Sequence, residues 1–386
     1  MQVKRLLYGF KNYVSMCSKK ISATFKILLI SNPDSYREWQ KTKNMNTTPQ
    51  TRIATFGELL LRMNVADGNR FTQANEIKIH VGGAEANVCV LLSQLGIQTD
   101  YITRLPQNDL AQLALNELQK YNVNTSKCVY GGERLGLYFV ESGNQIRQSQ
   151  VIYDRSNSSF STIQKDQIDW NKVLEDITHF HWSGISPGVS YEAGLACKEA
   201  ILAAHKKGLP ISSDFNYRSK LWQYGKHPSE IMPDLLQYST ITVADLDAIE
   251  IYFGIKTDIN ESDENRFQKT FELLKEKMPY LKTLAMSFRK SEGQAHLYKG
   301  LLIHEGNFFQ TQEHKIHVVT DQIGSGDAFN AGLLYGLSNK LSGQECIEWA
   351  TASGVIKQSI HGDFAISSNA EISHFIKNGS SNRINR

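Results

Sequence analysis

The feature that most constrains the fold is an alternation of short apolar segments with helical ones, which begins at Ile53. IATFG (53–57) is typical of a buried strand, and AEANVCVLLSQLG (84–96) is typical of a helix that ends at a glycine. The same order returns in ITHFHWSG (177–184), which precedes YEAGLACKEAILAAHKKG (191–208). Strands that alternate with helices predict an α/β fold with a mostly parallel sheet covered on both faces.

A different pattern interrupts this order between Leu135 and Arg155. Two segments with alternating polar and apolar residues flank the turn ESGN (141–144), which predicts a β-hairpin with one polar face. EIKIHV (76–81) alternates in the same way. We therefore expect a small second sheet at the edge of the main one.

Composition argues against several kinds of partner. The 386 residues carry 42 basic and 39 acidic side chains, and a net charge of +3 gives no basic field for nucleic acid. The five cysteines contain no CxxC pair, which indicates reduced thiols in a cytoplasmic protein. No apolar run approaches the ~18 residues that cross a bilayer, so a membrane is not an expected partner.

Residues 1–50 differ from the rest because they begin with a basic segment and end in a polar one. We expect a disordered or non-native N-terminal extension, with translation from Met45 or a targeting peptide as alternatives. Residues 51–386 are expected to form the functional domain.

A glycine turn near the C-terminus carries the clearest chemical signal. HKIHVV–TDQIGSGD–AFNAGLLYGL (314–337) reads as a strand, a turn and the start of a helix. Free N–H groups at a helix start suit a phosphate, and their field favours an ionised Asp327. This arrangement suits a kinase for an alcohol, in which Asp327 accepts the hydroxyl proton and Gly324, Ser325 and Gly326 form an anion hole. The alternative is an ordinary strand-to-helix loop in which Asp327 only faces the helix dipole.

Other nucleotide-binding loops match less well. The chain has no G-x-x-x-x-G-K-[ST] loop, and the turn is not a G-x-G-x-x-G loop.

Two motifs and four longer stretches resemble a known family. D-x-x-G-x-G-D (321–327), together with Gly82-Gly83 before AEAN (84–87), resembles the ribokinase-like (PfkB) carbohydrate kinases. Four further stretches are similar to the 2-keto-3-deoxygluconate kinases of that family: RLGLYFVESG (134–143), VIYDRSNSSFS (151–161), SSDFNYRSKLW (212–222) and SIHGDF (359–364).

The resemblance implies a three-layer α/β/α sandwich with a small β-sheet lid, formed by segments near 60–80 and 132–156. It implies transfer of the ATP γ-phosphate to the terminal hydroxyl of 2-dehydro-3-deoxy-D-gluconate, with Mg²⁺ and, in some relatives, a monovalent cation. It also implies a homodimer or higher oligomer through the lid. The implied substrate residues are Gly83, Asn87, Tyr138, Tyr153, Asp154, Arg155, Arg218 and Asp363. The implied ATP residues are Asn216, Tyr217, Arg218, Ser287, Arg289, Gly324 and Gly326.

The substrate residues also make physical sense as a set. The carboxylate of a keto acid requires a rigid cation, and the planar guanidinium of Arg155 or Arg218 supplies one. Tyr138 and Tyr153 offer flat faces with polar tips. The alternative is that both arginines lie on the surface and both tyrosines only pack the hairpin.

The sequence departs from the family in two places. Asp245 stands where many members have the Asn of Asn-x-x-Glu, and no Glu follows at the required distance. Asp247 could act through water, since Mg²⁺ keeps much of its hydration shell, but we name no metal ligand. The segment SFRKS (287–291) lacks the threonine that begins it in close relatives.

A fructokinase-type or ribokinase-type enzyme and a non-catalytic binding protein are the alternative functions.

Overall fold

The computed structural model describes residues 51–65, 68–143, 147–293 and 295–379. The strands in these ranges are β1 (Arg52–Phe56), β2 (Leu60–Val65), β3 (Ile77–Gly82), β4 (Gln98–Ile102), β5 (Arg104–Leu105), β6 (Val129–Tyr130), β7 (Gly136–Glu141), β8 (Gln150–Asp154), β9 (His179–Ser183), β10 (Ile211–Asp214), β11 (Ile241–Val243), β12 (Thr283–Glu292), β13 (Ala295–His304), β14 (Asn307–Gln310) and β15 (His314–Ile316).

The α-helices in the same ranges are α1 (Ala84–Gln94), α2 (Asp109–Lys120), α3 (Trp170–Val173), α4 (Ile185–Val189), α5 (Tyr191–Lys206), α6 (Pro228–Leu236), α7 (Leu246–Phe253), α8 (Asp263–Lys277), α9 (Ser325–Ser338), α10 (Gly343–Lys357) and α11 (Asn369–Asn378). A single 3₁₀ turn, Phe71–Gln73, lies between β2 and β3. None of the helices in the described ranges is long and apolar enough to cross a membrane.

The large sheet is mostly parallel, as the alternation predicts. Its order is β14-β13-β12-β11-β10-β9-β1-β4, and β15 pairs with β13. The pairs from β12 to β4 are parallel, and those of β13 with β12, β14 and β15 are antiparallel. The carboxyl ends of the parallel strands therefore meet at one edge, where ligands bind in folds of this kind.

Helices cover both faces of this sheet because its strands are apolar on both sides. Ile53 of β1 packs with Leu91 of α1 and Ala328 of α9. The next residue, Ala54, lies in a different cluster with Ala200 of α5. This arrangement confirms the predicted three-layer α/β/α sandwich.

A separate four-stranded sheet has the order β3-β2-β7-β8. The predicted hairpin consists of β7 and β8, which pair in antiparallel register from Leu137 with Asp154 to Glu141 with Gln150. β7 ends at Glu141 and β8 begins at Gln150, whereas the predicted turn is 141–144, whose last residue lies outside the described residues. The parallel pairing of β2 with β7 joins the hairpin to β2 and β3. We call this element the small sheet. The predicted N-terminal extension, residues 1–50, lies outside the described residues.

Candidate functional site

The turn before α9 requires glycine at position 324. Gly324 has a φ of +83°, and a Cβ added to it would lie 2.0 Å from the backbone oxygen of Asp363. A Cβ on Gly326 would meet no atom within 4 Å. The helix start therefore faces open space at Gly326, where a ligand group can approach the free N–H groups.

A cation lies beside this turn. Arg289 of β12 donates from Nη2 to the Ser325 hydroxyl at 2.7 Å. Ser325 is buried, whereas Arg289 is exposed. The turn thus combines a helix N-terminus with a guanidinium group, and both favour an anion.

Asp327 is buried in the first turn of α9. Asn87 of α1 donates from Nδ2 to Asp327 Oδ2 at 2.6 Å. Burial raises the pKa of Asp327 to about 6, although the Asn87 hydrogen bond and the charge of Arg218 act in the opposite direction. Desolvation therefore outweighs the neighbouring groups that favour the ionised form. The carboxylate is still mainly ionised at pH 7, with a pKa suited to a general base.

Arg218 follows β10 at the carboxyl edge of the sheet. Its charge lowers the pKa of three carboxyl groups, Asp214, Asp245 and Asp327, against the effect of burial. For Asp214, burial and the neighbouring Asp327 still raise the pKa to about 8. The charge of Arg218 therefore acts on Asp327 and on the two carboxyl groups at this edge of the sheet.

Arg155 is buried rather than on the surface. Its Nε and Nη2 donate to Oε2 of Glu58 at 2.8 and 2.6 Å, and Ser158 donates to Oε1 at 2.5 Å. Glu58 offsets the charge of Arg155, and sequence reasoning missed it. The position of Glu58, two residues after the first buried strand, was the sequence signal that could have indicated a functional carboxylate.

The small sheet contacts the loop that carries Asp363. The Tyr138 hydroxyl donates to Asp363 Oδ2. A Cβ on Gly82 would lie 2.1 Å from that same oxygen, and one on Gly83 would lie 2.3 Å from the backbone oxygen of Glu58. The glycine pair is therefore required by close packing against the Asp363 side chain and the Glu58 backbone.

The other hairpin residues have partners of their own. The ring of Tyr153 lies 5.5 Å from the Arg155 guanidinium carbon and 6.3 Å from the Tyr138 ring. Asp154 is exposed and forms a 2.8 Å ion pair with Arg134. Tyr153 thus lies between two residues of the pocket, whereas Asp154 contacts a neighbouring arginine.

The proposed ATP residues outside the glycine turn lie in the segment that follows β10 and on β12. Asn216 has a φ of +40° and donates its N–H to Asp214 Oδ1 at 3.1 Å. Tyr217 packs edge-on against Tyr252, with ring centroids 6.0 Å apart. Ser287 lies two residues before Arg289 on β12, so both side chains point to the same face of the strand.

A buried cation of the small sheet was missed in the sequence. Arg62 of β2 is 1% exposed, and its Nη2 lies 2.5 Å from Asp321 Oδ2. Its Nε lies 3.3 Å from Asp363 Oδ1. Lys357, also buried, donates to the backbone oxygen of Ile360 at 2.9 Å. An arginine inside the apolar strand LLRMNV was the signal, because buried arginines are rare unless paired.

No preformed metal cluster of three or more His, Cys, Asp or Glu side chains occurs among the described residues. Asp245 caps α7, since its Oδ1 accepts the N–H of Ala248 at 2.7 Å. Asp247 is exposed.

A helix start that suits an anion, beside a buried carboxylate at the carboxyl edge of a parallel sheet, is the arrangement expected of a phosphotransferase of the α/β class. Residues 50–367 match the pfkB family of carbohydrate kinases. The chain belongs to this family and is a sugar kinase, which confirms the predicted family and enzyme class.

Several relatives indicate the substrate range within the family. The chain is 28% identical over 334 residues to 2-dehydro-3-deoxygalactonokinase of Haloferax volcanii, covering 85% of this chain and 97% of the relative. It is 27% identical over 327 residues to a probable chloroplastic fructokinase of Arabidopsis thaliana, covering 82% of this chain and 80% of that relative. The crystal structure of 2-dehydro-3-deoxygluconokinase from Thermotoga maritima is similar with a TM-score of 0.80 and 32% identity, covering 85% of this chain and 98% of that one.

Proposed function

We propose that this kinase transfers the γ-phosphate of ATP to the terminal (6-) hydroxyl of 2-dehydro-3-deoxy-D-gluconate. The observation that carries the proposal is the buried Asp327, held by Asn87 at 2.6 Å beside the glycine turn. Asp327 accepts the hydroxyl proton while the alcohol oxygen forms a bond to the γ-phosphorus. The bond from that phosphorus to the bridging oxygen breaks, and ADP leaves. Relatives named for 2-dehydro-3-deoxy sugar acids support this substrate class.

The helix start supplies the phosphate side of the site. The N–H groups of Gly324, Ser325 and Gly326 would hold the transferring phosphoryl group, and the charge of Arg289 would offset its negative charge. Asn216, Tyr217 and Ser287 would contact the rest of ATP. A phosphate fits here because the helix start faces open space at Gly326.

Magnesium would accompany ATP and neutralise phosphate charge. Mg²⁺ in kinase sites is held by phosphates, waters and one or two carboxylates, so the lack of a larger cluster in the described chain is compatible with it. Asp214 and Asp245 are the carboxylates that fit, because the charge of Asp245 contributes to the raised pKa of Asp214 and the charge of Arg218 acts on both.

The sugar side would be formed by the glycine pair, the small sheet and the Asp363 loop. We propose that Arg218 recognises the negative charge of the substrate, because the carboxylate of Glu58 already offsets the positive charge of Arg155. The remaining proposed contacts are Gly83, Asn87, Tyr138, Tyr153, Asp154, Arg155 and Asp363.

One observation favours a second candidate, a kinase for a neutral sugar such as fructose or ribose. Arg155 is buried and paired with Glu58, which removes one of the two cations assigned to a sugar-acid carboxylate. The similarity to a probable fructokinase agrees with this alternative.

A panel of sugars and sugar acids, assayed for ADP formation, separates the two candidates. We expect turnover of 2-dehydro-3-deoxygluconate to exceed that of fructose and ribose. Asp327→Asn keeps the side-chain volume but cannot accept the proton, so kcat should fall on the order of 10²–10⁴-fold. Calorimetry should show that this variant still binds the sugar acid. Faster turnover of a neutral sugar would select the second candidate, and full activity of the variant would remove Asp327 as the base.

Arg218→Gln gives the matching test of charge recognition. We expect a larger loss of kcat/KM for the sugar acid than for fructose, because only the former presents a carboxylate. Arg266→Gln, on α8, is the control and should change kcat/KM for neither substrate. An equal loss for both sugars would assign Arg218 to the phosphate side alone.

We also propose that residues 51–386 form one kinase domain, with the small sheet as a lid over the sugar. The lid would exclude water from the transferring group.

A further inference from the structure

We infer that Arg62 is a positioning residue: from the small sheet it fixes the D-x-x-G-x-G-D turn in the geometry that phosphoryl transfer requires. The activity readout rests on the proposed function, and a second readout described below does not. Arg62 belongs to none of the motifs that carry the family resemblance.

The Arg62 side chain spans from the small sheet to the turn. It is buried, and its guanidinium contacts both oxygens of Asp321, with Nη2–Oδ2 at 2.5 Å and Nη1–Oδ1 at 3.4 Å. Asp321 is 259 residues away in the chain. Because Arg62 is only 1% exposed, it acts through its carboxylate partners rather than by contact with substrate.

Asp321 in turn organises the backbone on both sides of the anion hole. Its Oδ1 accepts the N–H of Ile323 at 3.0 Å, directly before Gly324. Its Oδ2 accepts the N–H of Gly362 at 3.1 Å, directly before Asp363. One carboxylate therefore joins Arg62, the glycine turn and the Asp363 loop.

Asp363 provides a second connection to the same place. Its Oδ1 lies 3.3 Å from Arg62 Nε, and its Oδ2 accepts the Tyr138 hydroxyl. The backbone oxygen of Asp363 lies against Gly324, where a Cβ would come within 2.0 Å. A shift of Asp363 would therefore displace the residue that begins the anion hole.

The charges in this region need Arg62 for balance. Lys357, at the end of α10, is a second buried cation near Asp321 and Asp363, and its Nζ donates to the backbone oxygen of Asp321 at 3.4 Å. Without Arg62, the buried carboxylate of Asp363 and the partly buried carboxylate of Asp321 would lose the cation that lies beside both, and their repulsion would open the turn. The small sheet would then lose its ionic attachment to the catalytic loop.

The kinetic test compares Arg62→Met and Arg62→Lys with a matched control. We expect kcat of Arg62→Met to fall on the order of 10²-fold, with KM for ATP and for the sugar changed less than about threefold, since positioning acts on the transition state. Arg62→Lys keeps the charge and should recover part of this loss. Arg52→Met removes the ion pair with Asp100 at the start of β1, and should lower stability without lowering kcat.

Two further measurements separate positioning from a structural effect. Arg62→Met combined with Asp321→Asn should be no slower than Arg62→Met alone, because both remove the same connection. Hydrogen exchange at the Ile323 and Gly362 amides should be faster in Arg62→Met and in Arg62→Lys, but not in Arg52→Met. The exchange readout needs no substrate, and the kinetic readout uses whichever sugar the wild-type enzyme prefers.

Three results would overturn the inference. The first is unchanged kcat in Arg62→Met together with unchanged exchange at both amides. The second is a selective rise in KM for the sugar, which would make Arg62 a binding group. The third is full additivity of the two substitutions. If Arg62→Met does not fold, unchanged exchange in Arg62→Lys would overturn it as well.

Discussion

At the residue scale, the site depends on the balance between burial and hydrogen bonding at Asp327. Burial disfavours the charged carboxylate, whereas the amide of Asn87 and the charge of Arg218 favour it. The result is a pKa of about 6, so that the carboxylate is mainly ionised at pH 7. Asn87 therefore lowers the pKa of the proposed base, in addition to its proposed contact with the sugar.

Replacing Asn87 with Ala tests this tuning. The lost hydrogen bond favoured the ionised form, so the pKa of Asp327 should rise above its value of about 6. Because the base must be deprotonated, activity rises with pH through this pKa, and the acid limb of the kcat/KM profile should move to higher pH. The measurement is the pH profile of variant and wild type. An acid limb at the same pH in both would show that Asp327 does not govern it.

At the scale of single elements, the first turn of α1 brings a second acid into the interior. Glu85 is buried, and its Oε1 accepts the Ser183 hydroxyl at 2.6 Å and the Ser183 N–H at 3.1 Å. Burial raises the pKa of Glu85 to about 7. Ionisation of this residue therefore opposes folding, because the unfolded chain ionises it more easily.

We predict that Glu85→Gln stabilises the protein at pH 8 and much less at pH 5. The native pKa of about 7 exceeds the unfolded value of 4.5. The contribution of Glu85 to wild-type stability is therefore fully present below pH 4.5 and decreases as the pH rises to 7. The free energy of unfolding that the wild type loses over this pH range through Glu85 is roughly 3 kcal/mol at most. Urea unfolding at both pH values measures it, with the exposed Glu276→Gln on α8 as control. An equal effect of Glu85→Gln at both pH values would contradict the prediction.

At the scale of the whole molecule, the small sheet has two different faces. Arg62 and Tyr138 point towards the catalytic turn. The next residues, Met63 and Phe139, are paired across the sheet and continue the row from Ile79 to Ile152 on the opposite face. Ile79 and Ile152 are 49% and 53% exposed. This apolar face supports the proposal that a second subunit pairs through the lid.

Light scattering on Ile79→Glu and Ile152→Glu tests this proposal. We expect the wild-type protein to have a mass that is a multiple of 43.6 kDa, and each variant to approach 43.6 kDa, because a buried unpaired charge destabilises the interface. Leu273→Glu, an exposed position on α8, is the control and should leave the mass unchanged. A wild-type protein that is monomeric at micromolar concentration would disprove lid pairing.

The sequence by itself determined the layered fold, because strand and helix periodicities are local and their alternation permits few topologies. It also predicted the turn at Gly324 and the helix start that carries Asp327, since a turn and the helix that follows it are encoded by neighbouring residues. The pairing of Arg62 with Asp321 and the pairing of Glu58 with Arg155 were decided only by the tertiary structure, which brings together residues 259 and 97 positions apart. The direction of the Asp327 pKa shift was decided in the same way, because desolvation depends on how the surrounding elements pack around the carboxylate.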